Sequence, residues 1–279
     1  MRRQWPSRTA HAAAAHRAVH QVLENGRIFA DPLAVRILGE DAGTLVRDAE
    51  QNPHRRAMRL FIAVRTRFAE DALAAAVGPG VRQLVVLGAG LDTYAYRGPM
   101  RDRLRMFEVD HPVTQDWKRR LLAEAGIPIP GTLTFAPVDF ERQILGEALA
   151  AAGFDPAERT FFTWLGVVPY LAEETAFATL RYISGLPGGA EVVFDYSNPP
   201  DSLPAEMRAV HEARAAHVAE IGEAWVSYFE SDALGARLTT LGLTGIEDLG
   251  PPEIVARYFP ERGGSAPGKG GHVVRAATF

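Results

Sequence analysis

The sequence contains no cysteine. That single absence excludes disulfides, thiolate zinc sites, iron–sulfur clusters and a cysteine nucleophile together. Lysine is nearly absent as well: Lys118 and Lys269 are the only two in 279 residues, and arginine supplies the remaining positive charge. A balance of 30 basic against 34 acidic side chains leaves a net charge of −4, too mild a bias for a nucleic-acid binder or a polybasic membrane protein. No apolar run approaches the roughly 20 residues of a membrane span. The Ala-rich stretch near the start is broken by His11, His16 and Arg17, which makes a poor export signal, and Arg2-Arg3 lacks the rest of a twin-arginine signal. The expectation is a cytoplasmic protein whose partner is a small molecule, without nucleic acid or membrane. No histidine pair or acidic cluster has the spacing of a metal site, and no Gly-x-Ser-x-Gly elbow points to a hydrolase. A hydrophobic fraction of 47% with 23% charged residues is that of a globular chain able to bury a large core.

What is present reads as alternation. Residues 9–25 read as a helix stopped by Asn25-Gly26, both tolerant of left-handed backbone. Asp31-Pro32 opens a short helix through Leu38, and Pro53 a long amphipathic one stopped by Gly78-Pro79-Gly80. Short apolar runs at 82–87, 104–109, 133–138, 160–165 and 191–195 then alternate with helical patterns at 112–125, 141–152 and 173–184. Strands at that spacing predict a doubly wound, mostly parallel sheet covered on both faces. The pattern breaks after the fifth strand, with a long helix over 202–224 and a helix over 231–241. Strands around 243–249 and 271–278 follow, without a clear helix between them, as a hairpin-like antiparallel edge. The chain reads as one Rossmann-like α/β domain. Its parts are a helical lid over 1–80, a core over 81–200, a helical insertion over 201–230 and terminal strands over 231–279.

The first strand runs into Gly88-Ala89-Gly90-Leu91-Asp92-Thr93. Glycines at a strand-to-helix turn allow tight backbone and a close ligand. A dinucleotide fingerprint needs a third glycine where Thr93 stands, and Asp92 places a negative charge that would repel a diphosphate. A ligand carrying an amine and a sulfonium would not be repelled. Glu108 and Asp110 end the second strand about 20 residues on, where an acid accepts ribose hydroxyls. Asp139 and Phe140 follow the third strand, an acid to take an adenine amino group and an aromatic to cover its ring. Each has a plainer role open to it: a solvated strand-end acid for the first two, a helix cap for Asp139.

With these residues assembled, the chain resembles the leucine carboxyl methyltransferase family over nearly its whole length. The resemblance is carried by Arg27-Ile-Phe-Ala-Asp-Pro32, Arg65-Thr-Arg67, Leu87-Gly-Ala-Gly-Leu-Asp-Thr93, Phe107-Glu-Val-Asp-His-Pro112, Val138-Asp-Phe140, Gly166-Val-Val-Pro-Tyr-Leu171 and Gly270-Gly-His-Val-Val-Arg275. It implies S-adenosylmethionine as cofactor. Arg65 would pair with the cofactor's carboxylate, Gly88 and Gly90 would lie against its backbone, and Asp110 would take the ribose hydroxyls with Glu108 a weaker candidate. Asp139 and Phe140 would frame the adenine. The family's usual glutamate before Gly166 is here Leu165, whose carbonyl remains to meet the ammonium but whose charge is lost. Methylation of a protein phosphatase is therefore not inherited from the family name.

Methyl transfer from a sulfonium is an in-line displacement that needs alignment above all. A carboxylate acceptor needs no base; a phenol or alcohol often does. Arg17, Tyr170, Tyr196, His211 and Trp225 are the candidates for an acceptor pocket, each with core packing or a surface position as its plainer role. The expected activity is O-methylation of a small natural-product carboxylate or hydroxyl. The alternatives are a nicotinamide-dependent oxidoreductase and a cofactor-binding protein without turnover.

Overall fold

The computed structural model describes residues 6–39, 42–140, 142–262, 266 and 268–279. The Arg2-Arg3 pair lies outside the described residues. The chain forms two compact units, Met1–Asp155 and Pro156–Phe279.

The first unit opens with α1 (Arg8–Leu23), whose start is capped by the Ser7 hydroxyl accepting the Ala10 N–H at 3.1 Å. It ends as expected, with Asn25 and Gly26 at φ +50° and +59°. α2 (Ala34–Leu38) begins two residues after the expected Pro32. α3 (Ala42–Gln51) occupies a stretch where the sequence pattern shows no element; its apolar Leu45 and Ala49 are buried one helical turn apart. A 3₁₀ turn at Pro53–Arg55 leads into α4 (Arg56–Val77). Ala14, Ala18, Ile37, Leu45 and Leu91 share one buried cluster, so the N-terminal helices and the loop after the first strand have a common core.

β1 (Gln83–Leu87) is buried along its whole length, as a parallel strand covered on both faces must be. α5 (Tyr94–Arg97), β2 (Arg105–Asp110), α6 (Pro112–Glu124), β3 (Leu133–Pro137) and α7 (Leu145–Ala151) follow. β1, β2 and β3 are parallel, with Leu87 beside Val109 and Asp110 beside Pro137. α7 starts later than the expected 141. The Asp139 carbonyl first accepts the N–H groups of Arg142 and Gln143 at 3.0 and 2.9 Å, and that turn delays the helix. Asp139 is therefore not the cap of α7.

The second unit contains β4 (Thr160–Trp164), α8 (Glu173–Ser184), β5 (Ala190–Ser197), α9 (Ala205–Glu220), α10 (Ser231–Thr240), β6 (Thr244–Leu249), α11 (Pro251–Tyr258) and β7 (Gly271–Ala277). β4 and β5 are parallel; β7 pairs antiparallel with both β5 and β6. The expected antiparallel edge is present, since β6 and β7 pair antiparallel, but a helix the sequence pattern did not show stands between them in the chain. α11, opened by Pro251-Pro252 with the Glu253 carboxylate accepting the Gly250 N–H at 3.1 Å, separates the last two strands in sequence. β7 lies between β5 and β6. Phe161, Phe162, Trp164 and Phe194 are buried, each worth about 1.5–3 kcal/mol or more in removed apolar surface. Both units are α/β, and the fold class is the Rossmann-like one, mostly parallel with an antiparallel edge. Among the described residues no helix is long and apolar enough to cross a membrane.

Candidate active site

The glycine turn after β1 takes the left-handed backbone that its glycines allow without strain. Gly88 and Gly90 sit at φ +63° and +47°, where a side chain is disfavoured. A Cβ on Gly90 would also come within 3.0 Å of the Ala10 methyl on α1. Asp110, at the carboxyl end of β2, holds this turn: one carboxylate oxygen accepts the Gly90 N–H at 2.5 Å and the other accepts the His111 N–H at 2.6 Å. A carboxylate offers about four acceptor positions, so this grip is compatible with two ribose hydroxyls arriving at the same group. Gln115 reinforces the edge by donating to the Glu108 and Ala136 carbonyls at 2.7 and 3.2 Å, which ties β2 to β3.

Glu108 does not share the role of Asp110. It is 1% exposed and paired with Lys118 of α6 at 2.7 Å, so the weaker ribose candidate is a buried half of an ion pair. Burial pushes its carboxyl up to about 7 against the pull of Lys118, with Asp92 and Asp110 adding to the rise. Arg65 is half-buried on α4, its guanidinium 5.9 Å from the Phe61 ring. Arg67, by contrast, is exposed and spends its charge on Asp71 at 2.8 Å. Asp139 and Phe140 are half-buried just past β3, with Arg142 3.6 Å from the Asp139 carboxylate.

Arg17 is not an acceptor-pocket residue. Its guanidinium is buried, donating to the Leu91 carbonyl at 2.6 Å and to Asp31 at 3.1 Å. Asp31, fully buried, is the hub of a polar cluster that sequence reasoning saw only as a helix cap. It accepts the Thr93 hydroxyl at 2.8 Å and lies 3.3 Å from Arg97, which forks onto Glu70. Burial raises the Glu70 carboxyl pKa even though Arg97 pulls it down. Thr93, where a dinucleotide fingerprint would need glycine, is thus a buried structural member. The nicotinamide reading is not favoured.

In the second unit, Leu165 and Gly166 follow β4 half-buried, and the Gly166 N–H donates to the buried Asp195 at 2.5 Å. Tyr170 closes a 3₁₀ turn whose Pro169 carbonyl accepts the Val226 and Ser227 N–H groups at 2.7 and 3.2 Å. The structure therefore brings the Tyr170 turn beside the segment that carries Trp225. His211 of α9 joins the same segment, its Nε2 3.2 Å from the Tyr228 hydroxyl and its ring 5.1 Å from Trp225. Tyr196 does not join them. It is 2% exposed, stacked on His272 at 4.7 Å, and donates to Asp248 at 2.5 Å. His272 in turn faces Asp248 at 3.0 Å and Asn198 at 2.9 Å, so this cluster locks β7 in place and offers no surface to a substrate. Among the described residues no group of acidic and histidine side chains is arranged to hold a metal.

A parallel sheet with a glycine turn gripped by a strand-end acid defines a class of nucleotide-type cofactor binders. Within it the chain belongs to the leucine carboxyl methyltransferase family, whose sequence model matches residues 10–184. A relative from Bacillus subtilis, provisionally named an S-adenosyl-L-methionine-dependent methyltransferase, is 37% identical over 66% of this chain and 60% of its own length. Another with the same provisional name, from Mycolicibacterium paratuberculosis, is 32% identical over 91% of this chain and 82% of its own. The chain spans only about three fifths to two thirds of several of these relatives. A solved structure of an O-methyltransferase family protein from Burkholderia thailandensis covers 95% of this chain and 69% of its own at 15% identity, with a TM-score of 0.48. That likeness is too distant to speak for chemistry.

Proposed function

We propose that the protein is an S-adenosylmethionine-dependent O-methyltransferase acting on a small-molecule carboxylate or hydroxyl. The observation that carries the reading is Asp110. A carboxylate fixed by two backbone N–H groups at the end of β2, against a glycine turn with left-handed backbone, is the chemistry a nucleoside's vicinal hydroxyls require. The bound cofactor supplies a methyl group activated by a positively charged sulfur. The chain's residues bind and orient. Arg65 holds a carboxylate, Asp110 two hydroxyls, Asp139 an exocyclic amine and Phe140 the face of a purine. Asp92 adds negative charge beside the turn, which favours a cationic ligand over a diphosphate. Family membership and the provisional names of the relatives support the same assignment.

Titration calorimetry with S-adenosylhomocysteine tests the cofactor half. Mass spectrometry of a mixed acid and hydroxyl panel incubated with S-adenosylmethionine tests the transfer. The expected result is saturable binding and a one-methyl gain on oxygen; absence of binding removes the reading.

A further inference from the structure

The ion pair beneath the glycine turn has no task in the cofactor assignment. Glu108 and Lys118 are each 1% exposed and meet at 2.7 Å. Taking such a pair out of water is costly, and an apolar pair of similar volume would serve a core as well or better. The Tyr96 hydroxyl is buried in the same place, with the Lys118 ammonium 5.4 Å from the ring centroid. The strand neighbours of Glu108 on β1 and β3 are Val86 and Phe135, both apolar. All of these residues belong to the first unit.

Glu108 is tied to the turn by position and by charge. It lies two residues before Asp110 on β2, on the same face and about 7 Å along the strand. The charged and titratable groups that face it are Lys118 of α6, Tyr96 of α5, Asp92 of the glycine turn and Asp110 of its own strand. Arg119 of α6 acts on the Tyr96 side of the cluster. Tyr96 keeps its proton, because burial first, then the Glu108 and Asp92 charges, raise its hydroxyl. Burial holds the Glu108 carboxyl up at about 7 against the pull of Lys118, and the Asp92 and Asp110 charges add to the rise. A ligand at the turn cannot bury Glu108 further, since it has almost no surface left to lose. What a ligand changes is charge. A cation beside Asp92 and Asp110 offsets their repulsion and favours an ionised Glu108 against Lys118.

We propose that Glu108 is a charge sensor for the cofactor: its carboxyl gives up a proton when a positively charged ligand fills the turn, so the chain holds the sulfonium more tightly than the neutral thioether product. The proposal rests on the S-adenosylmethionine reading. The methyl donor carries one more positive charge than S-adenosylhomocysteine, and the two share every other group. Glu108 releases its proton to water on binding, which completes the ion pair with Lys118. It takes a proton back from water once the charge on sulfur is gone. Protonated Glu108 must lose its proton for the tighter complex to form, so the preference for the methyl donor grows as the pH rises toward 7.

Titration calorimetry of the full chain at pH 6.5, repeated in buffers of different ionisation enthalpy, counts the protons. S-adenosylmethionine should release roughly half a proton per site, and S-adenosylhomocysteine at most half as much. From pH 5.5 to 7, where the ligand amines stay largely protonated, the ratio of the two affinities should shift roughly 4-fold toward the methyl donor. Glu108→Gln should abolish the difference in proton release and flatten the ratio. That change leaves Lys118 without its partner, so Glu108→Gln with Lys118→Met is measured beside it, with circular dichroism on both, and the same result is expected. His111, which caps α6 beside Asp110, is the control: His111→Asn should leave the difference in place. Equal proton release for the two ligands in the wild type, or a difference that persists in a folded Glu108 variant, would overturn the proposal. A wild type that binds neither ligand would instead remove the methyltransferase reading beneath it.

Discussion

The Thr93 hydroxyl donates to the Asp31 carboxylate at 2.8 Å while accepting from Arg97 Nε at 2.8 Å, with Thr93 and Asp31 fully buried. The contact joins the 27–32 segment to the turn that Asp110 grips from the other side. Thr93→Val keeps the shape and removes the hydroxyl. It should cost about 1–3 kcal/mol, because buried Asp31 and Arg97 each lose a partner. S-adenosylhomocysteine affinity should fall with it, and Thr93→Ser should restore both. Chemical denaturation and calorimetry on the three proteins check this.

Arg17 serves the same cluster. Removing its guanidinium leaves Asp31 short of a charge partner and the Leu91 carbonyl short of a donor. Arg17→Met should therefore destabilise the fold by about 3–5 kcal/mol, the cost of breaking a buried pair from one side. A thermal melt close to that of the wild type would show the cluster to be slack.

The Glu108–Lys118 pair makes a pH prediction. The Glu108 carboxyl is raised to about 7 in the fold, chiefly by burial, from an ordinary value of 4.5. Between those values the folded chain holds a proton that the unfolded chain has released. This group's stabilisation is therefore complete below about 4.5 and is lost as the pH rises through about 7. Replacing both partners, Glu108→Gln with Lys118→Met, should flatten that slope in melting temperature and leave stability at neutral pH unchanged or higher by about 1–4 kcal/mol. Lys118→Met alone should push the Glu108 carboxyl further up and destabilise the fold chiefly above neutral pH, where that buried acid would have to ionise without its partner.

Tyr196→Phe separates structure from catalysis. The hydroxyl bridges Asp248 and Ser231, so its loss should lower stability by about 1–3 kcal/mol. Cofactor affinity and the KM for any acceptor should not change. A raised acceptor KM with an unchanged melt would return Tyr196 to the pocket.

Much of the architecture was legible because parallel strands covered on both faces read as short apolar runs. Each of the seven predicted strands has a counterpart within about two residues at either end. α3 and α11 were not legible: ten and eight residues long, they span only two to three helical turns, too short for their apolar period to stand out between stronger signals. The site was readable as a set of strand-end acids and not as a set of partners. Glu108 and Asp110 sit two apart and share a strand face; what divides them is Lys118, on the next helix and ten residues from Glu108. Asp31 looked like a cap because caps are local, while its partners Arg17, Thr93 and Arg97 meet only in the fold. Tyr196 and His211 were equal as aromatic and titratable candidates. What distinguishes them is that Tyr196 is buried against Asp248, Ser231 and His272, partners distant in sequence that meet it only in the fold.

The central claim is that Asp110 anchors the ribose of S-adenosylmethionine. Calorimetric titration of S-adenosylhomocysteine into the wild type and Asp110→Ala tests it most directly, with circular dichroism to confirm that both are folded. The account predicts saturable binding to the wild type and a loss of roughly 10-fold or more in the variant, since the alanine gives up charge-assisted hydrogen bonds. Equal affinity for the two folded proteins, or no binding to the wild type, would contradict it.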